Sequence, residues 1–378
     1  MKKRHSIKHW LVGKLEISHG GHDMLLSMEG LRGIAVFLVF LVHYSSFVEK
    51  FTAGISSDIL SFVMHFGHLG VDLFFVLSGY LIYGSILKGK VFDPTKYVRK
   101  RVKRIYPTFL CVFIIYIILS FIFPSESKIP ADTYSAILYL IQNLLLLPGL
   151  FDIVPMITVS WSLSYEVFYY AIIPLIVFSL RLKGWQRSSR VAMWLTVSIV
   201  GFGLSFISDS HIRLLMFISG ILLFEFSTSS LKVYRGGGLC FLIALSLYGF
   251  KSIYDINNVI AVMSASYLFI YLCLCSFNKS STVYKFFTVT WLRWLGNISY
   301  SYYLVHSLTL SFSFLILERF ISADYSSHHI YYWLWIPLFI FSVIVSFVLY
   351  VAVEHRFSLT IRNGHAKKVP VKCASPAK

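Results

Sequence analysis

"MEGLRGIAVFLVFLVHYSSF", residues Met28 to Phe47, has the length and apolar character of a membrane span, with two residues that do not belong to lipid. A helix of about 20 apolar residues crosses a hydrocarbon core of roughly 30 Å. Arg32 stands near the start of the stretch and His43 lies well inside it. Eleven residues separate them. At 3.6 residues per turn this is three turns, so both side chains share one face, about 16 Å apart along the axis. They cannot touch, but they can bind two ends of one long ligand. A plainer reading also exists for each. Arg32 can anchor the helix end, and His43 can pack as a neutral imidazole against a polar neighbour.

The rest of the chain carries the same signature. Of 378 residues, 57% are hydrophobic, 17% aromatic and only 13% charged, with a mean hydropathy of +0.72. A soluble domain has about a quarter charged residues. Apolar runs recur at 33–48, 69–87, 105–124, 161–180, 191–207, 211–227, 236–250, 258–276, 295–317 and 331–352. The fold class expected is all-α: a polytopic integral membrane protein of about ten transmembrane helices. The first run begins after about thirty residues and has no small-residue cleavage site, so it is expected to be retained rather than removed as a signal peptide. The net charge of +17 sits in short segments between spans. Membrane lipid, not nucleic acid, is therefore the expected partner of the basic residues. Five cysteines, Cys111, Cys240, Cys273, Cys275 and Cys373, form neither a disulfide framework nor a zinc pattern, and no metal is expected.

Lys and Arg collect in cytoplasmic loops. The link from Lys88 to Arg104 holds eight basic residues against one acidic residue, Asp93. The N-terminal arm (Lys2, Lys3, Arg4, Lys8, Lys14) and the tail (Arg356, Arg362, Lys367, Lys368, Lys372, Lys378) are basic as well. Both termini are thus expected in the cytoplasm, which demands an even number of crossings. A further apolar segment, 135–148, does not fit the alternation and is expected to be a re-entrant or interfacial helix, or one too short to cross. The organisation expected is a cytoplasmic arm over 1–29, a transmembrane domain over 30–354 and a basic cytoplasmic tail over 355–378, with no soluble domain at either end.

Other residues in the apolar segments need a reason. Asp72 opens "HLGVDLFFVLSGYLIYG" (68–84) toward the outer side. An unpaired carboxylate there is costly, and pairing with His43 on the adjacent antiparallel helix is expected. Ser78 and Gly79 form a small polar patch where helices can approach. In "KYVRKRVKRIYP" (96–107), Arg101 and Arg104 are three apart; they can fix topology, touch lipid or clamp the phosphates of a cytoplasmic ligand. In "TVSWSLSYEVFYY" (158–170), an aromatic belt accounts for Trp161 and Tyr165 but not for Glu166, which is expected to face a cavity about a turn and a half below the outer surface. Aromatic faces beside carboxylates and hydroxyls suit a sugar. "WLGNISYSYYLVHS" places Asn297, Ser299, Ser301 and His306 in the ninth span, and "VEHRFS" closes the tenth with Glu354, His355 and Arg356. Packing or interface anchoring is the expectation for most of these.

There is no GxSxG elbow, HExxH, phosphate loop or dinucleotide fingerprint. The remaining set, one histidine, two carboxylates and cations at one mouth, suits general-base transfer of an acyl group to a hydroxyl. A transporter or flippase, and a scaffold of a glycan assembly complex, are the rival classes. The halves do not look alike, which weakens the transporter.

Together these segments resemble the membrane-bound acyltransferase family 3, the O-acetyltransferases of bacterial cell-surface polysaccharides. "GLRGIAVFLVFLVH", "GVDLFFVLSGYLI", "RVKRIYP", "WSLSYEVFYY" and "LGNISYSYYLVH" run in the family's order over about 30–350. The resemblance implies ten spans in the bacterial inner membrane and acetyl-CoA as donor. It implies a sugar hydroxyl of a cell-surface or lipid-linked glycan (exopolysaccharide or lipopolysaccharide among them) as acceptor. Other glycan-biosynthesis proteins are the partners it suggests. The resemblance implies that His43 is essential and that Arg32 supports the donor site, and Glu166 carries over with its motif. The residues' own chemistry adds Asp72 to orient His43, Arg101 and Arg104 for the donor phosphates, and Ser78, Trp161 and Tyr165 at the acceptor site, with His43 expected as general base or as a transient acyl carrier. The family's second Glu in the fourth span is Val167 here, and Glu354 is not followed by the family's proline. Many members carry a fused periplasmic hydrolase-like domain, which this chain is expected to lack.

Overall fold

The computed structural model describes residues 2–16, 24–49, 57–89, 91–208, 211–229, 235–251, 254–319 and 329–359. The tail beyond Leu359, Asp209, Lys232, Asp324 and most of the link between the first two spans lie outside the described residues. The helices are α1 (Lys2–Leu15), α2 (Met24–Val48), α3 (Ser57–Gly67), α4 (Leu69–Leu87), α5 (Pro94–Ile122), α6 (Thr133–Leu144), α7 (Ser160–Ser179) and α8 (Arg187–Ser205). They continue with α9 (Leu215–Ser227), α10 (Gly237–Gly249), α11 (Asn258–Ser276), α12 (Thr282–Phe287), α13 (Thr290–Asn297), α14 (Ser299–Leu317) and α15 (His329–Leu349). Wider π-helical turns follow over Tyr350–Leu359.

The architecture is all-α. Against the ten crossings expected, seven helices among the described residues are long and apolar enough to span a membrane: Leu25–Val48, Phe62–Leu87, Pro94–Ile122, Ser160–Ser179, Asn258–Ser276, Ser299–Leu317 and Trp333–Ser358. The other three expected crossings correspond to α8, α9 and α10. The last two have 13 residues each, about 20 Å of helix against a core of roughly 30 Å. Helix α8 has 19 residues but opens on Arg187 and Arg190. The segment expected not to cross, 135–148, overlaps α6, which is 12 residues long.

The third span starts earlier than its apolar run. Asp93 caps α5 by accepting a hydrogen bond from the Lys96 backbone N–H at 2.9 Å, and Pro94 occupies the first turn, where its missing N–H costs nothing. The basic run is therefore helix rather than link. Pro107 lies inside the same helix.

Burial separates a central helix from peripheral ones. The span containing α4 is 78% buried, whereas the spans of α5 and α15 are 28% and 22% buried. The outward face of α5 carries Ile114, Ile118, Phe121 and Ile122, as a lipid-facing stripe requires. At the centre, small residues let backbones meet. A Cβ at Gly79 would overlap the Phe217 carbonyl of α9, and one at Gly220 would overlap the Val76 carbonyl of α4. Similarly, Gly30 of α2 lies against the Phe287 carbonyl, and Gly296 of α13 against the Glu29 carbonyl. This is the small-residue packing available where lipid removes a hydrophobic drive between helices. It fixes α2, which carries Arg32 and His43, between α4, α13 and α14.

The N-terminal arm is packed, not loose. Leu15 is buried, its carbonyl accepts from Asn297 Nδ2 at 2.8 Å, and the Lys14 carbonyl accepts from Tyr350 Oη at 3.0 Å. Arg293 bridges Glu16 of the arm (2.6 Å) and Glu29 of α2 (2.9 Å).

Candidate active site

Three groups of polar side chains lie along α2 and its neighbours. The first surrounds Arg32. Its charged neighbours are Arg104, Glu354, Glu166 and Glu29. Arg104 Nη1 donates to Glu354 Oε1 at 2.7 Å. The other carboxylate oxygen of Glu354 accepts from the Ser301 hydroxyl at 2.6 Å and the Ser301 backbone N–H at 3.1 Å. Glu354 is fully buried, so these bonds replace the water it has lost. The π-helical turns re-aim this end of the last span, a common device at functional sites. Arg101 stacks on the rings of Tyr97 and Tyr170 at 5.0 and 4.7 Å and donates from Nη2 to the Ser85 hydroxyl at 2.8 Å. Its Nε has no hydrogen-bond partner among the described residues. The Tyr170 hydroxyl donates to Glu166.

This group contains three arginines and two glutamates (Arg32, Arg101, Arg104; Glu166, Glu354), while Glu29 is engaged by Arg293. One glutamate is already paired, by Arg104. The remaining guanidiniums suit an anion, since charge-assisted bonds from Arg are short and strong.

The second group is centred on His43. Its imidazole meets that of His306 edge to face, with ring centroids 4.9 Å apart at 65°. His306 is fully buried and stacks flat on Tyr302 at 5.1 Å. The neighbouring Tyr303 shares a 2.6 Å hydrogen bond with Ser162 of α7 and donates to the Val159 carbonyl at 3.1 Å.

The third group lies beyond His43. Asp72 is fully buried. Tyr248 Oη donates to its Oδ2 at 2.9 Å, and Arg213 Nε lies 3.8 Å from its Oδ1. The Arg213 guanidinium sits over the Trp161 ring, 6.0 Å from the centroid. Trp161 and Tyr165 meet edge to face at 5.7 Å, and Tyr165 Oη lies 3.4 Å from His211 Nδ1.

The expected residues are thus distributed differently from the sequence reading. Asp72 pairs with Arg213 and Tyr248, not with His43; the ring against His43 is His306. The reason is reach and charge, because a guanidinium neutralises a buried carboxylate that a neutral imidazole cannot. Glu166 belongs to the Arg32 group rather than to the aromatic one. On α7, Trp161 and Tyr165 are four apart and share a face; Glu166 and Tyr170 are four apart on the next face, about 100° round. Ser78 is half-buried and is not drawn into any of the three groups by a hydrogen bond among the described residues. Arg104 is a charged neighbour of Arg32, and Arg101 reaches the same group through Tyr170 and Glu166. Arg213, Tyr248 and Tyr303 were missed. His306 was read as packing, although an ionisable residue inside an apolar helix is itself a signal. Glu225, paired with Arg190 at 2.6 Å and Tyr83 at 2.6 Å, is a further buried carboxylate that the sequence reading passed over.

Sequence comparison supplies independent information. The sequence pattern of a family described as an acyltransferase domain matches residues 25–353. A Staphylococcus aureus (strain COL) protein named provisionally as an O-acetyltransferase is 26% identical over 324 residues, covering 75% of this chain and 50% of its own length. The O-acetyltransferase OatA of Staphylococcus aureus is 24% identical over 320 residues, with the same shares covered. The chain therefore spans about half the length of these curated relatives. No solved structure matches it.

Proposed function

The chain belongs to the membrane-bound acyltransferase family 3, and on that premise we propose that it transfers an acetyl group from acetyl-CoA to a sugar hydroxyl of a cell-surface or lipid-linked glycan. It is a multi-pass bacterial membrane protein with O-acyltransferase relatives. The donor, the acceptor and the residue roles that follow belong to the proposal. The observation that carries it is the division of α2. One end is ringed by Arg32, Arg101 and Arg104, and three turns away the same face carries His43.

Both termini and the Lys88–Arg104 segment face the cytoplasm in this reading, with ten crossings. Arg32 and Arg101, assisted by Arg104, hold the phosphates of the donor there. The long arm of coenzyme A then delivers the thioester about 16 Å inward. At His43 the acceptor hydroxyl loses its proton to the imidazole and its oxygen attacks the thioester carbonyl. The carbon–sulfur bond breaks, and the proton returns to the thiolate as coenzyme A leaves. Glu166 orients the donor through Tyr170 and the arginines. Asp72 acts at a distance from the base, holding Arg213 over Trp161. Trp161, Tyr165 and the Ser78 patch form the acceptor's approach.

Purified protein given labelled acetyl-CoA and membrane glycan should yield ester label that alkali removes. Substrate movement with no covalent product would instead favour a carrier. Labelling of cysteines placed in 88–104 from the outside would overturn the orientation.

A further inference from the structure

Every hydrogen-bonding group that could orient His43 is informative, because the carboxylate expected there is engaged elsewhere by Tyr248 and Arg213. The ring in contact with His43 is His306, and His68 is a second imidazole among its charged neighbours. His306 Nδ1 lies 2.9 Å from the Tyr302 carbonyl oxygen. A carbonyl can only accept, so Nδ1 must carry the hydrogen. The neutral ring then has its lone pair on Nε2. That Nε2 is buried and has no hydrogen-bond partner among the described residues. An unpaired acceptor in a closed site is costly, and it lies on the imidazole that meets His43. The ring has no freedom to turn away, because it is stacked flat on Tyr302 and flanked by Tyr303.

We propose that His306 is the positioning residue for His43, its Nε2 accepting a hydrogen bond from one nitrogen of the His43 ring so that the other presents its lone pair to the acceptor hydroxyl. This rests on the assignment of His43 as base. It gives the site a histidine–histidine pair where a carboxylate–histidine pair was expected. The partner is neutral, which suits a part of the bundle whose carboxylate is already neutralised by an arginine. When His43 takes the hydroxyl proton, the resulting imidazolium keeps an acceptor on its far nitrogen. When the proton passes to the departing thiolate, the pair returns to its starting tautomers. No proton leaves the pair by any other route, and acetyl ester and coenzyme A thiol are the sole products.

Two variants separate positioning from packing. His306→Gln keeps an acceptor near the position of Nε2; His306→Phe keeps a flat ring and removes the acceptor. Turnover and donor KM should be measured for both beside His43→Ala. The expected result is a roughly 10- to 100-fold loss of kcat in His306→Phe with donor KM within about twofold, and recovery of most of that loss in His306→Gln. Nitrogen NMR of histidine-labelled protein, assigned by the signal lost in His306→Phe, should show a neutral His306 protonated at Nδ1. Normal turnover in His306→Phe, equal loss in both variants, or a hydrogen on Nε2 would overturn the inference. If His43→Ala itself keeps normal turnover, the assignment of the base has failed and not its partner alone.

Discussion

The two ends of α2 are built on opposite principles. Around Arg32, charges are dense and held in place: Arg104 to Glu354, Glu354 to Ser301, Arg101 to two aromatic rings. Around His43 the groups are neutral and few, and the nearest ring offers a nitrogen without a partner. The first arrangement recognises charge; the second leaves proton-accepting capacity unused. In the proposed reading, the difference lets a single helix face separate affinity from chemistry by three turns.

If the Arg32 end is a closed network, breaking it should be the most damaging structural change. Glu354→Ala leaves the half-buried Arg104 unpaired and the buried Ser301 N–H and hydroxyl without their acceptor, which together cost about 3–5 kcal/mol. Unfolding of the purified protein in detergent should show this, and a loss under about 1 kcal/mol would mean that the network is not closed. A smaller loss, about 1–3 kcal/mol, is expected for Gly296→Ala, where a methyl group meets the Glu29 carbonyl and must push α13 from α2. Because this moves the Arg32 end, donor KM should rise with it; a stable variant with unchanged donor KM would show that the crossing does not set the site. At the far end, Trp161→Ala should raise the acceptor KM about tenfold, the worth of one aromatic contact, with donor KM unchanged. A rise in donor KM would place Trp161 at the wrong end.

The smallest effect lies outside both ends. Asp132 caps α6 by accepting from the Ser135 backbone N–H at 2.9 Å, and that bond holds its carboxyl below the ordinary value. A depressed carboxyl stabilises above the unfolded value, near pH 4, and that contribution is lost as pH falls through the folded value. The protection of the Ser135 amide against hydrogen exchange, relative to its intrinsic rate, should therefore fall at low pH before that of the α2 amides does. Equal exchange in both would remove the cap from the account.

Much of this was legible in the chain. Apolar runs located the helices, and the eleven-residue spacing of Arg32 and His43 placed them on one face. Of the two arginines expected beside Arg32, Arg104 is its charged neighbour, while Arg101 stacks on Tyr170, which donates to Glu166. What the sequence could not reveal were pairings across helices. Asp72 has both an imidazole and a guanidinium within reach of its part of the bundle, and only three-dimensional packing chooses between them. Glu166 went to the other group because one residue on a helix turns the side chain by about 100°. His306 looked like packing because its partner lies 263 positions away at His43. Helices α9 and α10, 13 residues each, are shorter than the apolar runs 211–227 and 236–250 that hold them, because hydropathy alone does not see where a helix stops.

The division of labour along α2 is tested most directly by titrating acetyl-CoA calorimetrically into wild-type protein, Arg32→Ala and His43→Ala, with turnover measured on the same preparations. Arg32→Ala should bind the donor about 10- to 100-fold more weakly, the worth of one charge-assisted contact. His43→Ala should bind it within about twofold of wild type while turnover falls by roughly 10²- to 10⁴-fold. Loss of donor binding in a folded His43→Ala variant, or its normal turnover, would contradict the account.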